Sequence, residues 1–295
     1  MGKPEKDEIT GQHTTGHEWD GIRELTTPVP NWWLLTWFAS IAVALLYVVF
    51  FPSFAVPGWV VPGALGNSAR SELAAETSRI AQSQAGTRAA LLETPIADLA
   101  GNADLYAFAW SGGRAAFAVN CIACHGAGAG GQIGQFPSLI DDDWLWGGTP
   151  EAIEQTILHG IRSPTDEDTR LSEMPPFADA LSAEEISDVA DYVLSLSLAN
   201  AGDAEVLARG QAIYSANCEG CHQPGGTGGR DFGAPRLDDA IWLYGGSKAD
   251  IIRQINAPRM GVMPAFVHRL DPATIRMLAV YVHSLGGGET SEPSP

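Results

Sequence analysis

The feature that most constrains this chain is an internal repeat in which each half carries one Cys-x-x-Cys-His motif. The two motifs, residues 121–125 and 218–222, contain all four cysteines of the 295 residues. Two thiols at this spacing can add to the two vinyl groups of a haem, and the adjoining imidazole can ligate its iron. The sequence therefore predicts two covalently bound haem c groups. Their attachment residues would be Cys121, Cys124, Cys218 and Cys221.

Paired cysteines have other uses. A structural zinc site needs four Cys or His ligands, so each pair would have to close with its adjacent His or reach the other motif almost a hundred residues away. A thioredoxin-like pair has no need of an adjoining His or of a second copy. Two disulfides also satisfy the count, although cysteines three residues apart on a helical stretch make poor structural staples. The repeated motif favours haem attachment over all three.

The repeat extends beyond the motifs at an offset of 97 or 98 residues. Segments 137–148 and 235–246 share a Pro-x-Leu sequence, two aspartates and an aromatic stretch that ends in Gly-Gly. Such self-similarity indicates one domain, duplicated. We expect the two copies to occupy residues 104–199 and 204–287.

Each copy shows two further helix starts after its Gly-Gly pair. Thr149 and Ser247 have the chemistry of N-caps, and Ser182 and Asp271 precede a closing helix in each half. Apolar residues follow each start at helical spacing. Each copy is therefore predicted to be a small helical domain.

A Met-Pro pair recurs at the matching place in each half. Met174 follows His125 by 49 residues, and Met263 follows His222 by 41. A low-spin haem iron ligated by histidine takes a second axial ligand, and a thioether raises its potential by favouring ferrous iron. Most methionines only fill gaps in a core. The proline after both methionines favours the ligand role, because it stiffens the loop and removes a backbone donor.

An uncharged apolar run extends from Trp32 to Phe51. Its twenty residues would make about 30 Å of helix, the thickness of a hydrocarbon core. A cleaved signal peptide is the competing interpretation, but a long polar segment precedes the run and the run exceeds an ordinary signal h-region. We expect one retained transmembrane helix within residues 32–54, preceded by a tail, residues 1–31.

Two other segments are expected to lie outside the repeated domains. Residues 55–103 should form a connector, irregular in its Pro/Gly-rich first part and partly helical beyond Ser71. The connector is either a spacer or a surface for a partner subunit. Residues 288–295 are expected to be a disordered tail.

The tail carries the most specific motif. Segment 17–30, HEWDGIRELTTPVP, lies directly before the apolar run and resembles the N-terminal signature of the dihaem subunit (subunit III) of cbb3-type cytochrome c oxidases. The haem motifs, Pro-x-Leu segments and Met-Pro loops resemble class I cytochrome c domains. The resemblance covers residues 13–287. It implies an all-α fold, with a single N-terminal transmembrane helix followed by two tandem class I cytochrome c domains.

The resemblance also implies a role in the respiratory chain. In that family the subunit accepts electrons from a donor cytochrome c and passes them, with a monohaem subunit, toward the catalytic subunit that reduces oxygen. The tail would be cytoplasmic and the haem domains periplasmic, on a bacterial inner membrane. Proton transport and oxidative phosphorylation would belong to the complex, and we expect no catalytic residue in this chain. The implied iron ligands are His125, Met174, His222 and Met263.

Two residue-level expectations follow from the resemblance. The carbonyls of Pro137 and Pro235 would orient the proximal imidazoles. Axial methionines of this family are sometimes described as exchanged between domains. Class I domains normally close their own coordination, however, so we expect Met174 to serve the iron of His125, with Met263 serving the other.

The net charge and the N-terminal tail limit the classes of function that the chain can have. A net charge of −18 repels phosphate, so nucleic acid is not an expected partner. The expected partners are the catalytic and monohaem subunits, a donor cytochrome c and membrane lipid. The alternative is a free-standing, membrane-anchored dihaem carrier that serves other reductases or dehydrogenases. Such a carrier has no need of a specific tail, so segment 17–30 favours the oxidase subunit.

Overall fold

A computed structural model describes residues 5–197 and 202–290 of the chain. These residues fall into two compact units, one ending at Ser83 and one beginning at Gln84. The elements that begin in the first unit are β1 (Thr14–Trp19), β2 (Ile22–Leu25), α1 (Asn31–Phe50), β3 (Ala55–Val56), β4 (Trp59–Val60) and α2 (Ala69–Glu93). The fold is mostly helical, as the sequence predicts.

The tail forms an antiparallel β-hairpin, which the all-helical expectation did not include. β1 and β2 are joined by Asp20 and Gly21, both with positive φ, 49° and 85°. An Asp-Gly pair at the turn is the sequence signal that favours such a hairpin. Thr14 is buried, and its hydroxyl accepts the backbone N–H of Glu5 at 3.1 Å.

Helix α1 carries the apolar run, and it ends earlier than the expected segment 32–54. Phe51 is already extended, with φ −115° and ψ 157°, because the α conformation is disfavoured for a residue that precedes a proline. The helix is twenty residues long, and in the described part of the chain it buries none of them. Its length and composition suit a membrane span.

Eight α-helices begin in the second unit, among the described residues. They are α3 (Ala103–Asn120), α4 (Ile122–His125), α5 (Pro150–His159), α6 (Ala183–Ser197), α7 (Ala204–Asn217), α8 (Glu219–His222), α9 (Lys248–Asn256) and α10 (Pro272–His283). Short 3₁₀ helices lie at Ile96–Gly101 and Pro224–Gly226.

The predicted helix starts are confirmed, because the caps are local. Thr149 caps α5 by accepting the N–H of Ala152, and Asp271 caps α10. Ser247 forms a complete capping box at the start of α9. Side-chain oxygens here satisfy backbone donors that the first turn leaves without partners.

The ends of the predicted segments differ from expectation in part. Leu91, Ile96 and Leu99 of the expected connector are buried in the hydrophobic core that contains α3. Residues 291–295 of the expected disordered tail lie outside the described residues, as do residues 198 and 199 of the first copy. Glu289 is described. Its N–H donates to the carbonyl of Gly148, and its side-chain carboxylate accepts the N–H of Gly148.

The helices build two hydrophobic cores, and each core mixes the two halves of the sequence. Helix α10, which closes the second half, packs along α3 of the first half and beside α5. Helix α6, which closes the first half, packs along α7 and beside α9. This packing differs from the expectation that each half forms a core of its own. The closing helices are exchanged.

Glycines set both helix crossings. A Cβ on Gly113 would overlap the backbone of α10 and lie 2.7 Å from the Cβ of Tyr281. At the equivalent place in the other core, a Cβ on Gly210 would overlap the backbone of α6 and lie 2.8 Å from the Cβ of Tyr192. Each pair of helices approaches so closely because no side chain stands between the backbones.

The neighbouring position favours the exchanged pairing. Gly112 faces the side chain of Met277 in one crossing. At the equivalent positions of the other crossing, Arg209 Nε donates to the buried carboxylate of Asp188 at 2.6 Å. Self-closed halves would set Arg209 against Met277 and leave Asp188 facing Gly112 without a cation. Burying an unpaired carboxylate is costly, so these residues favour exchange.

Candidate functional site

Each Cys-x-x-Cys-His motif lies on a short helical turn that directly follows a long helix. Cys121 ends α3, and α4 carries Cys124 and His125. Helices α7 and α8 repeat this arrangement in the second half. All four cysteines lie in the described ranges and are free thiols. The disulfide alternative is therefore not what the structure shows.

The histidines present one ring nitrogen to a backbone carbonyl. Nδ1 of His125 lies 3.1 Å from the oxygen of Pro137, and Nδ1 of His222 lies 3.0 Å from the oxygen of Pro235. A carbonyl only accepts, so Nδ1 carries the proton and Nε2 keeps its lone pair. Burial lowers the pKa of both imidazoles, although the carbonyl contact opposes it. The contacts hold both rings as one neutral tautomer in a fixed orientation.

Burial has the opposite effect on two thiols. It raises the pKa of Cys121 and of Cys218 to about 11, and the second cysteine of each motif adds to the shift. Zinc is bound by thiolates, which this environment disfavours at neutral pH. Neutral thiols beside a neutral imidazole fit haem attachment, in which S–H adds across a vinyl double bond.

The loop of Met263 lies against the first core. Ile161 and Met263 exchange both backbone hydrogen bonds at 3.0 Å, and the N–H of Phe266 donates to Ile157 at 3.1 Å. The side chain of Met263 packs against the core that Cys121 also contacts. The second half thus delivers its methionine to the core that holds the first motif.

The loop of Met174 is placed in the complementary way. The N–H of Phe177 donates to the carbonyl of Ile255 in α9 at 3.0 Å, and Met174 packs against the core that Cys218 contacts. The expected pairing of Met174 with His125 differs from this packing. The physical reason is that each Met loop leads into a closing helix, and the closing helices are exchanged.

The repeated aromatic positions have protein partners. Trp144 donates through Nε1 to the carbonyl of Gly287 at 2.5 Å. The guanidinium of Arg170 lies 5.4 Å from the ring centroid of Trp146, and that of Arg259 lies 4.8 Å from that of Tyr244. Trp146 and Tyr244 therefore each carry a cation–π contact.

Sequence reasoning did not single out the arginines near the methionine loops. Arg162, with a positive φ of 51°, lies in the segment that makes the first His-to-Met spacing eight residues longer than the second. That difference was the available signal. At the end of α5, directly before this segment, His159 Nδ1 lies 3.3 Å from the carboxylate of Asp166.

Comparison with known proteins agrees with this site. Helical Cys-x-x-Cys-His turns, carbonyl-bound histidines and methionine loops define a c-type cytochrome, here with an apolar helix near its N terminus. Residues 11–57 match the N-terminal domain of cytochrome oxidase-cbb3, FixP, and residues 108–193 and 205–282 match cytochrome c oxidase, cbb3-type, subunit III. The chain belongs to this cbb3-type subunit III family.

Curated relatives match over nearly the whole length. The cbb3-type cytochrome c oxidase subunit FixP of Sinorhizobium medicae is 46% identical over 96% of this chain and 97% of its own. Subunit FixP of Azorhizobium caulinodans is 48% identical over 95% and 94%. Subunit CcoP of Cereibacter sphaeroides is 44% identical over 97% and 99%. Membership implies that the chain binds haem c and is anchored to a membrane as part of an oxidase complex.

Proposed function

We propose that this chain conducts electrons within a cbb3-type cytochrome c oxidase, from a donor cytochrome c through two haem c groups toward the subunit that reduces oxygen. The relatives named as subunits of that oxidase support the role. The main structural support is that the Nδ1 of both histidines contacts a proline carbonyl, which leaves Nε2 free to bind an iron.

We further propose how eight residues divide between the two haems. The first would be held by Cys121, Cys124, His125 and Met263, and the second by Cys218, Cys221, His222 and Met174. The sharing of one core by Met263 and Cys121, and of the other by Met174 and Cys218, supports this division.

The protein groups would set the properties of each site. A bound haem supplies a one-electron iron couple. The Pro137 and Pro235 carbonyls hold the imidazoles at one tautomer and increase their basicity as ligands. The thioethers of Met174 and Met263 favour ferrous iron and occupy the position that an external ligand would need.

The arrangement in the cell follows the same proposal. Lipid would surround α1, whose side chains are exposed along its length. The tail, residues 1–31, would be cytoplasmic, and the repeats, 104–199 and 204–287, periplasmic. The partners would be the catalytic and monohaem subunits and a donor cytochrome c. The net charge of −18 disfavours nucleic acid as a partner.

The ligand assignment can be tested with a spectroscopic mark. Replacing Cys124 by Ala leaves one vinyl group of the first haem unsaturated and shifts its α band to longer wavelength, and C221A marks the second haem in the same way. We expect M174A to lower the potential of the unmarked haem in the C124A protein and of the marked haem in the C221A protein. The reverse pattern would return Met174 to the iron of His125.

The oxidase role needs a test on native membranes. After solubilisation in mild detergent, the haem-staining band of this chain should migrate with oxygen-consuming activity that oxidises reduced cytochrome c. A haem band that migrates alone, while the activity is recovered elsewhere, would favour the free-standing carrier.

A further inference from the structure

The segment between α5 and Met174 is longer than the matching segment between α9 and Met263. It accounts for the eight additional residues between His125 and Met174. In the structure this segment does not leave the fold as a surface loop. It pairs with the backbone at Met263 and returns to Met174 at its other end. One stretch of chain therefore contacts both methionine loops.

Arg162 makes the connection. Its Nε donates to the carbonyl of Gly261 at 2.7 Å, and one terminal nitrogen donates to the carbonyl of Ser172 at 2.9 Å. Gly261 lies two residues before Met263, and Ser172 lies two residues before Met174. A single guanidinium thus donates to the backbone of both loops, in each case two residues before the methionine.

The backbone on both sides of Arg162 is held in place. Its own N–H donates to the carbonyl of Arg170 at 2.9 Å. Ile161 forms the two-bond pair with Met263, and Ser163 Oγ accepts the N–H of Ala265 at 3.1 Å. These bonds maintain the left-handed φ of 51°, a conformation that non-glycine residues adopt at a cost. The strained turn aims the side chain between the loops.

The charge of Arg162 strengthens both contacts. Burial lowers its pKa, and Tyr244 and Glu173 oppose that shift, but a guanidinium stays protonated in any case. Hydrogen bonds from a cation are stronger than neutral ones. The planar fork can also serve two carbonyls at once, whereas an ammonium is a single point charge on a flexible stem.

We propose that Arg162 is a positioning residue for both axial methionines, and that through it the ligation of one iron depends on the ligation of the other. This inference rests on the proposed ligand role of Met174 and Met263. The donor pair to Gly261 and Ser172 is its structural basis. Release of one loop would remove a partner of Arg162 and loosen the restraint on the second loop.

The test measures how easily imidazole displaces methionine from each ferric haem of the full-length holoprotein in detergent. The C124A mark separates the two haems. We expect R162Q to increase the imidazole association constant at least fivefold at both. R162K keeps the charge but loses the fork, so it should show the same increase at one haem or both. R162K also carries the test if R162Q does not retain haem.

Arg170 provides the matched control. It lies in the same segment, burial likewise lowers its pKa, and it bonds the carbonyl of Trp146 and the hydroxyl of Thr156 instead of a methionine loop. R170Q should change imidazole binding less than twofold. An equal effect of R170Q and R162Q, an effect of R162Q at only one haem, or no effect in R162Q and R162K would overturn the proposal.

Coupling needs a second measurement. In the protein that keeps Arg162, M263A should increase imidazole binding at the haem on Cys218. In the R162Q protein this cross-effect should vanish. A cross-effect that persists without Arg162 would contradict the coupling. If Met174 and Met263 are not the iron ligands, the sulfur-to-iron charge-transfer band would be absent from the unmutated ferric protein. This result is distinguishable from a failure of the Arg162 proposal, in which the band is present.

Discussion

The close crossing of α3 and α10 makes a sharp prediction for a single added methyl group. In G113A the new Cβ would overlap the backbone of α10 and press on Tyr281, 2.7 Å away. Carbon atoms in contact prefer about 3.5–4.0 Å, so the helices must separate by about 1 Å. Gly86 is the matched control: it is also helical, and an added Cβ would meet no atom within 4 Å.

The magnitude follows from two opposing contributions. Replacing a helical glycine by alanine stabilises a helix by about 1 kcal/mol, and both variants have this gain. Overpacking costs about 1–3 kcal/mol, and G113A should lie at the upper end because backbone cannot rotate away. We expect G113A to lose about 2 kcal/mol and G86A to gain up to about 1 kcal/mol.

The assay is thermal unfolding of the detergent-solubilised holoprotein at one scan rate, followed at the absorbance of each haem. For a unit of this size, 1 kcal/mol corresponds to roughly 2–4 °C. The midpoint of G113A should therefore fall by roughly 4–8 °C, and that of G86A should stay level or rise. The haem on Cys121 and Cys124 should lose its methionine first, because α10 follows the Met263 loop.

Two results would refute the reasoning. If G113A unfolds at or above the midpoint of G86A, α3 and α10 do not cross at Gly113. If G113A instead releases the methionine of the haem on Cys218, the helix that crosses α3 at Gly113 does not follow the methionine loop of the first haem.

The remaining predictions concern the other core, one cap and one buried carboxyl. G210A should lower the midpoint by a similar amount but loosen the methionine of the haem on Cys218, since its Cβ would overlap the backbone of α6; an effect on the first haem would contradict this. S247A removes the cap of α9 and should cost about 1 kcal/mol in thermal unfolding, whereas an unchanged midpoint would show that the cap contributes nothing. Burial, together with the charges of Asp239 and Asp141, raises the pKa of Asp143 to about 6. The folded state therefore binds an extra proton between about pH 4 and about pH 6, and the free energy of unfolding should fall as pH rises through this range. D143N should abolish that pH dependence, and an identical dependence in the variant would refute the prediction.

Much of the fold could be predicted because its signals are local. Capping residues and hydrophobic spacing are encoded within a few positions, so the starts of α5, α6, α9 and α10 were correct. The tail hairpin also had a local signal, Asp20-Gly21, which the helical expectation overlooked. Of the candidate site, the cysteines and histidines follow from a contiguous motif, and the placement of the histidines beside Pro137 and Pro235 agrees with the family resemblance.

The rest could not be predicted because it depends on contacts between distant residues. Spacing permits each half to close its own coordination. The pairing of Arg209 with Asp188, together with the contact of Gly112 with Met277, favours exchange instead. The role of Arg162 depends on a left-handed turn and on two carbonyls about ten and a hundred residues away, at Ser172 and Gly261. No local sequence pattern predicts contacts between residues so far apart.

The sequence by itself determined the family, the apolar helix and the residues that can hold haem, because covalent attachment and hydrophobic burial are written in residue types at short spacing. Tertiary structure alone decided which methionine accompanies which motif and what ties the two loops together. The reason is that two nearly equal halves offer interchangeable partners. The pairing of the buried carboxylate of Asp188 with Arg209 then discriminates between them.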